Sequence, residues 1–193
     1  MSDTWLIAGL GNPGPGYAGN RHNVGQLVLD VLAGRLQGRF SSSKARAVTL
    51  EGRLSIDGPR VVLAKPLTYM NLTGGPVAAL ARFYGIAPDH VVAVHDEIDI
   101  VANTLKLKMG GGEGGHNGLR DISRALGTKD YYRVRVGVGR PPGRQDPAEF
   151  VLKDFGAAEK KDLPLLLNDA ADAVELLITE GLPTAQQRFH PAR

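Results

Sequence analysis

The stretch that most constrains this chain runs Gly9-Leu10-Gly11-Asn12-Pro13-Gly14-Pro15-Gly16-Tyr17-Ala18-Gly19-Asn20-Arg21-His22-Asn23 and follows the apolar run Trp5-Leu6-Ile7-Ala8. An apolar run that breaks into glycines reads as a strand feeding a loop. The first six residues have the Gly-x-Gly-x-x-Gly form of a dinucleotide-binding turn. That motif needs its third glycine to open a helix whose N-terminus holds a pyrophosphate, whereas Pro13, Pro15, Gly16 and Gly19 keep the chain irregular. Asp30, at the distance of a ribose-binding carboxylate, falls inside a helical pattern instead of at a strand end. The loop therefore points away from a nucleotide and, through His22, toward catalysis.

A chain of 193 residues is most simply one domain, able to bury its own core without metal or disulfide staples. It contains no cysteine, which removes thiol nucleophiles, thiolate metal sites and disulfides. No stretch has the length and apolarity of a membrane span, and no secretory signal pattern precedes Trp5, so a soluble cytoplasmic protein is expected. A net charge of +3 permits a polyanionic partner without demanding one.

Val24, Leu27, Val28, Val31 and Leu32 recur at helical spacing after His22, with Asn20 or Asn23 available as the cap. Alternation from Ala45 to Ile56, the turn Asp57-Gly58-Pro59 and the run Val61-Val62-Leu63 predict a hairpin-like pair. Thr73 and Pro76 start a helix from about Gly74 to Tyr84, closed by Gly85. Val91 to Val94 has the continuous apolarity of a central strand, delivering His95-Asp96-Glu97 to its carboxyl end. Leu105 to Met109 alternates as a half-exposed strand, and a second glycine-rich loop, Gly110 to Gly118, leads to a helix through Ile122 and Leu126. Tyr131 to Val138 alternates again, and Leu163 to Ile178 forms a closing amphipathic helix. The expected architecture is a single α/β domain over residues 1–193, three-layered, with a twisted mixed β-sheet flanked by helices and a loosely held tail from about 182.

Strand-end loops carry Asn12 and His22, Asn71, Asp96, and His116 with Asn117. A carboxylate at one strand end can orient a histidine from another, and loop asparagines offer amide donors to a developing oxyanion. Asparagine also serves as a plain turn-former, the reading given to Asn103. His95, Asp96, Glu97 and Asp99 admit two other readings, a solvated acidic turn or a divalent-metal site, though they lack recognisable ligand spacing. With no Gly-Lys-Ser/Thr and no Gly-x-Ser-x-Gly, neither a P-loop nor a serine elbow is present, leaving histidine-activated water as the economical chemistry. Lys106, Lys108, Arg120, Arg124, Arg133, Arg135 and Arg140 gather in one part of the sequence, either as a polyanion-binding face or as ordinary solvated charge.

Gly-Leu-Gly-Asn-Pro-Gly at 9 to 14, Tyr17, Arg-His-Asn at 21 to 23, Lys-Pro-Leu-Thr-Tyr-Met-Asn at 65 to 71, His-Asp-Glu-Ile-Asp at 95 to 99, Gly-Gly-His-Asn-Gly-Leu at 114 to 119 and Arg-Val-Gly-Val-Gly-Arg-Pro at 135 to 141 resemble, in order and spacing, the bacterial peptidyl-tRNA hydrolases. The resemblance implies a monomeric, metal-independent and cofactor-free esterase that cleaves the ester between a peptide and the 3′-terminal ribose of tRNA. It implies His22 as general base and Asp96 as its orienting partner. Asn12, Tyr17, Asn23, Tyr69, Met70, Asn71 and Asn117 would bind substrate or support the pocket, and Lys108 and Arg135 would clamp the 5′-phosphate at the acceptor stem. Departures are Asn20 where threonine is usual, Thr73 for serine, Glu113 in the glycine loop, and Val101-Ala102-Asn103 in place of a proline and glycine turn. Binding of structured RNA without turnover and metal-dependent hydrolysis remain the competing functions.

Overall fold

The computed structural model describes residues 3–190. Seven strands form one mixed sheet: β1 (Thr4–Gly9), β2 (Ser41–Ser42), β3 (Ala47–Arg53), β4 (Arg60–Pro66), β5 (Val91–Glu97), β6 (Leu105–Met109) and β7 (Tyr132–Gly137). They lie in the order β2-β3-β4-β1-β5-β7-β6. The middle of the sheet, β4-β1-β5-β7, is parallel, and its strands are the apolar ones; β3 and β6 run antiparallel at either side. Parallel strands covered on both faces need apolar residues throughout, and Val91 to Val94 are fully buried.

One face is covered by α1 (Val24–Arg35), α5 (Ala157–Glu180) and α6 (Leu182–Phe189), packed on Ile7, Leu63, Val92, Val94 and Val134. The other is covered by α2 (Gly74–Tyr84) and α3 (Asn117–Leu126), packed on Leu6, Ala8, Val62 and Ala93. A short helix, α4 (Pro147–Val151), links β7 to α5. The layers are those of an α/β fold with helices on both faces of a mixed sheet. Helix α2 has the boundaries its sequence predicts, ending on Gly85 at φ 66°. Asn103 adopts the left-handed φ of 64° expected of a turn-former.

The structure departs from expectation at three places. Neither Asn20 nor Asn23 caps the helix after His22 with its side chain; Asn20 Nδ2 donates to Asp154, and Asn23 is engaged by Asn12. Residues 182–190, expected to be loosely held, instead form α6 and its cap, because β6 is an edge strand with unpaired backbone groups. Gln186 Nε2 donates to the Leu107 carbonyl, and His190 Nε2 accepts from Leu107 N–H. Residues 191–193 of that tail lie outside the described residues. Finally, β6 descends the sheet, Met109 pairing with Tyr132 at the start of β7. The second glycine loop therefore does not begin at the site-bearing end. It climbs back along the sheet, from Gly110 beside Tyr131 to Gly114 beside the Glu97 carboxylate.

Candidate active site

The carboxyl ends of β1, β4 and β5 open on a cleft of about 680 Å³ lined by Asn12, His22, Tyr69, Met70, Asn71, Asp96 and Asn117 together with residues of α4. The first loop reaches it because α1 presses directly on the central strand. A Cβ on Gly25 would lie 2.0 Å from the Val94 carbonyl oxygen, so only glycine permits this approach. Leu10 N–H donates to that same carbonyl at 3.0 Å, tying the loop's entry and the helix's start to one point on β5. His22 sits in the single tight turn Arg21–Asn23 that precedes α1.

His22 Nδ1 lies 3.0 and 2.9 Å from the two carboxylate oxygens of Asp96. His116 Nε2 lies 2.9 Å from Asp96 Oδ1. The two imidazoles are otherwise differently engaged. His116 Nδ1 accepts from Gly118 N–H and Leu119 N–H, capping α3, so its ring proton sits on Nε2 and is donated to Asp96. His22 donates from Nδ1, which leaves Nε2 as a lone pair on a ring that faces the cleft. Burial opposes charging His22, but the adjacent carboxylate outweighs it and raises the pKa above the ordinary 6.5. Burial likewise works against the Asp96 carboxylate, and its two imidazole partners hold it well below the usual carboxylate range. Asp96 is therefore an ionised, 2% exposed acceptor of two histidine protons.

Asn23 lies behind the cleft, not in it: Asn12 N–H donates to Asn23 Oδ1 and Asn23 Nδ2 to the Asn12 carbonyl, both at 2.9 Å. Asn12 Oδ1 accepts from Met70 N–H at 2.7 Å. With its oxygen occupied, Asn12 presents its amide N–H groups to the cleft, the polarity an oxyanion requires. Asn71 and Asn117 are exposed on the rim. Tyr69 lines the cleft and meets Tyr17 edge-on, ring centroids 6.3 Å apart, while Tyr17 itself is not among the residues lining the cleft.

The acidic cluster expected as a metal alternative does not converge. His95 is fully buried and donates from Nδ1 to the Asp96 carbonyl, burial lowering its pKa to about 3, while Asp99 pairs with Arg140. His22, Asp96 and His116 do bring three ligand atoms within 4.8 Å of one another. They fit a resident metal poorly, because His116 Nε2 bears the proton that a metal would displace while Nδ1 is occupied by the α3 cap.

Lys106, Lys108, Arg133 and Arg135 share one face of the β6–β7 pair. Arg133, read from the sequence as part of either a polyanion-binding face or ordinary solvated charge, is fully buried and donates to the carbonyls of Gly111, Gly112 and Lys129, pinning the second glycine loop. Lys108 Nζ bonds the Gly112 carbonyl at 2.9 Å, and Arg135, half-buried on the same face, stands opposite Lys106 and one pair along from Lys108. Partial burial and the neighbouring guanidinium charges lower the pKa of both. Arg124 and Arg140 are paired with Asp121 and Asp99.

Sequence reasoning placed His116 among the candidates but gave it no role; its position one residue before a helix was the available signal. A family model described as peptidyl-tRNA hydrolase matches residues 6–193. A peptidyl-tRNA hydrolase of Pseudarthrobacter chlorophenolicus is 75% identical, the match covering 100% of this chain and 98% of that protein. One from Renibacterium salmoninarum is 65% identical over the full length of both. The crystal structure of peptidyl-tRNA hydrolase from Acinetobacter baumannii superposes with a TM-score of 0.89 at 36% identity, covering 100% of this chain and 97% of that one.

Proposed function

The chain belongs to the peptidyl-tRNA hydrolase family, hydrolases of the ester bond in peptidyl-tRNA, and on that premise we propose that His22 is its general base. Water held at His22 Nε2 gives up a proton as its oxygen attacks the ester carbonyl carbon. Asp96 stabilises the imidazolium that forms. The amide of Asn12, with Asn71 and Asn117 from the rim, receives the developing oxyanion. Collapse of the tetrahedral intermediate expels the ribose 3′-oxygen, which takes its proton from His22, leaving free tRNA and a peptide acid. Met70 and Tyr69, steadied by Tyr17, line the channel for the substrate. Lys108 and Arg135 take the 5′-phosphate at the acceptor stem. We further propose that the protein works as a monomer in the cytoplasm, where its translation substrate arises; no helix among the described residues is long and apolar enough to cross a membrane.

The observation that carries the base assignment is the asymmetry at Asp96: His22 keeps Nε2 free toward the cleft and His116 has no free nitrogen. Release of free tRNA from peptidyl-tRNA tests it, on wild type and His22→Ala, with and without chelator. His22→Ala is expected to lose on the order of a hundredfold or more in kcat, with chelator inconsequential. A folded His22→Ala protein with near-normal turnover removes the base assignment, and chelator-abolished turnover replaces the metal-independent reading with metal-dependent hydrolysis.

A further inference from the structure

Arg21, next to His22, is 6% exposed, does not line the cleft, and reaches behind it to α4 and the start of α5. Its Nε donates to Glu159 Oε2 at 3.1 Å and its Nη2 to Glu159 Oε1, a two-pronged pairing at the start of α5. Nη1 donates to the Phe150 carbonyl at 2.9 Å, and the guanidinium lies 3.8 Å from the Phe150 ring centroid. The Arg21 backbone N–H donates to the Lys153 carbonyl at 3.1 Å, and Asn20 Nδ2 to Asp154 Oδ1 at 2.8 Å. The gripped residues, Phe150 and Lys153, flank Val151 and Leu152, which line the cleft along with Pro147 and Ala148. One guanidinium thus joins the segment that carries His22 to the apolar wall facing it.

The Arg21–Glu159 pair is buried at the arginine and 29% exposed at the glutamate side chain, and a partly exposed pair of this kind contributes little stability, because desolvation and solvent screening offset the Coulombic gain. Apolar packing, moreover, sets distance less sharply than a planar fork bonded on three edges. We propose that Arg21 is a positioning residue for the hydrolysis: by clamping α4 and the start of α5 to the His22 turn, it sets the gap between the attacked carbonyl and the apolar wall. That gap makes the enzyme sensitive to the size of the apolar side chain beside the ester. The inference rests on the reading of His22 as the base.

Two N-acetylated esters on one tRNA body, phenylalanyl and alanyl, probe the gap. With Arg21→Lys, which keeps the charge but loses the fork, the ratio of kcat/KM for the phenylalanyl over the alanyl ester is expected to fall roughly tenfold, through KM. Glu159→Gln, a milder change at the other end of the clamp, is expected to move the ratio in the same direction by a smaller factor. The double variant should fall no further than Arg21→Lys alone. Equal losses on both esters with KM unchanged, or a wild-type ratio in folded Glu159→Gln, would mean that the clamp is structural only and overturn the proposal. His22→Ala assayed alongside separates the premises: turnover without His22 defeats the base assignment, whereas the ratio in the Arg21 variant reports on the wall.

Discussion

Two glycine-rich loops each hand a histidine to the same carboxylate, and the two histidines end up with different capacities. Gly9 to Gly19 leads to His22 and α1, Gly110 to Gly115 to His116 and α3, and both rings reach Asp96 within 3.0 Å. His116 is the N-cap of its helix, so both of its nitrogens are engaged. His22 stands one tight turn ahead of its helix and caps nothing through its side chain. A side chain that completes the structure around it is unavailable to substrate, and the one the fold leaves incomplete can serve as base. The loops differ in their anchors as well: the first is locked by the Asn12–Asn23 amide pair, the second by the buried Arg133.

The sharpest way to break the comparison is to remove what the histidines share. Asp96→Asn places an amide N–H against at least one imidazole N–H, favouring the His22 tautomer with its proton on Nε2. Single-turnover hydrolysis should slow by roughly a hundredfold or more, and a loss below about threefold would show that the carboxylate does not set the tautomer. His116→Asn comes next, because asparagine retains the cap but is too short to reach Asp96. Freed of one donor, the carboxylate becomes a stronger partner for His22. The base form of His22 exists above its pKa, so kcat/KM falls as pH drops through a value already above 6.5 in wild type. In His116→Asn that acid limb should move to higher pH, with a loss of about fivefold below it. A loss as large as that of His22→Ala would make the two histidines equivalent and end the distinction. The smallest effect belongs to the second loop's other contact: Lys108→Ala should raise KM for the tRNA ester severalfold and lower the slope of its salt dependence by about one. A short ester without tRNA should be unaffected; equal losses on both would place Lys108 in the support of the glycine loop instead of in phosphate binding.

Much of this arrangement is legible along the chain. The apolar run Val91 to Val94 marks a central strand, Thr73, Pro76 and Gly85 bracket α2, and the polar residues at Asn12, Asn71 and Asp96 mark the carboxyl ends that meet. The partners of those side chains were less legible. Asn23 reads as a cap and is an amide clamp; Arg133 reads as an exposed charge, polyanion-binding or merely solvated, and lies buried under a loop; residues 182–190 read as a tail and cover an edge strand.

What the sequence alone determined is whatever its local period and turn chemistry can carry: strand, helix, loop, and which residue types stand at each loop. The tertiary structure decided that His22 keeps a nitrogen free while both nitrogens of His116 are engaged, which arginine faces solvent, and that Arg21 pairs with a glutamate 138 positions away. Neighbouring residues set backbone preferences over a few positions, whereas a polar side chain takes whichever partner packing brings within hydrogen-bond reach once it has left water.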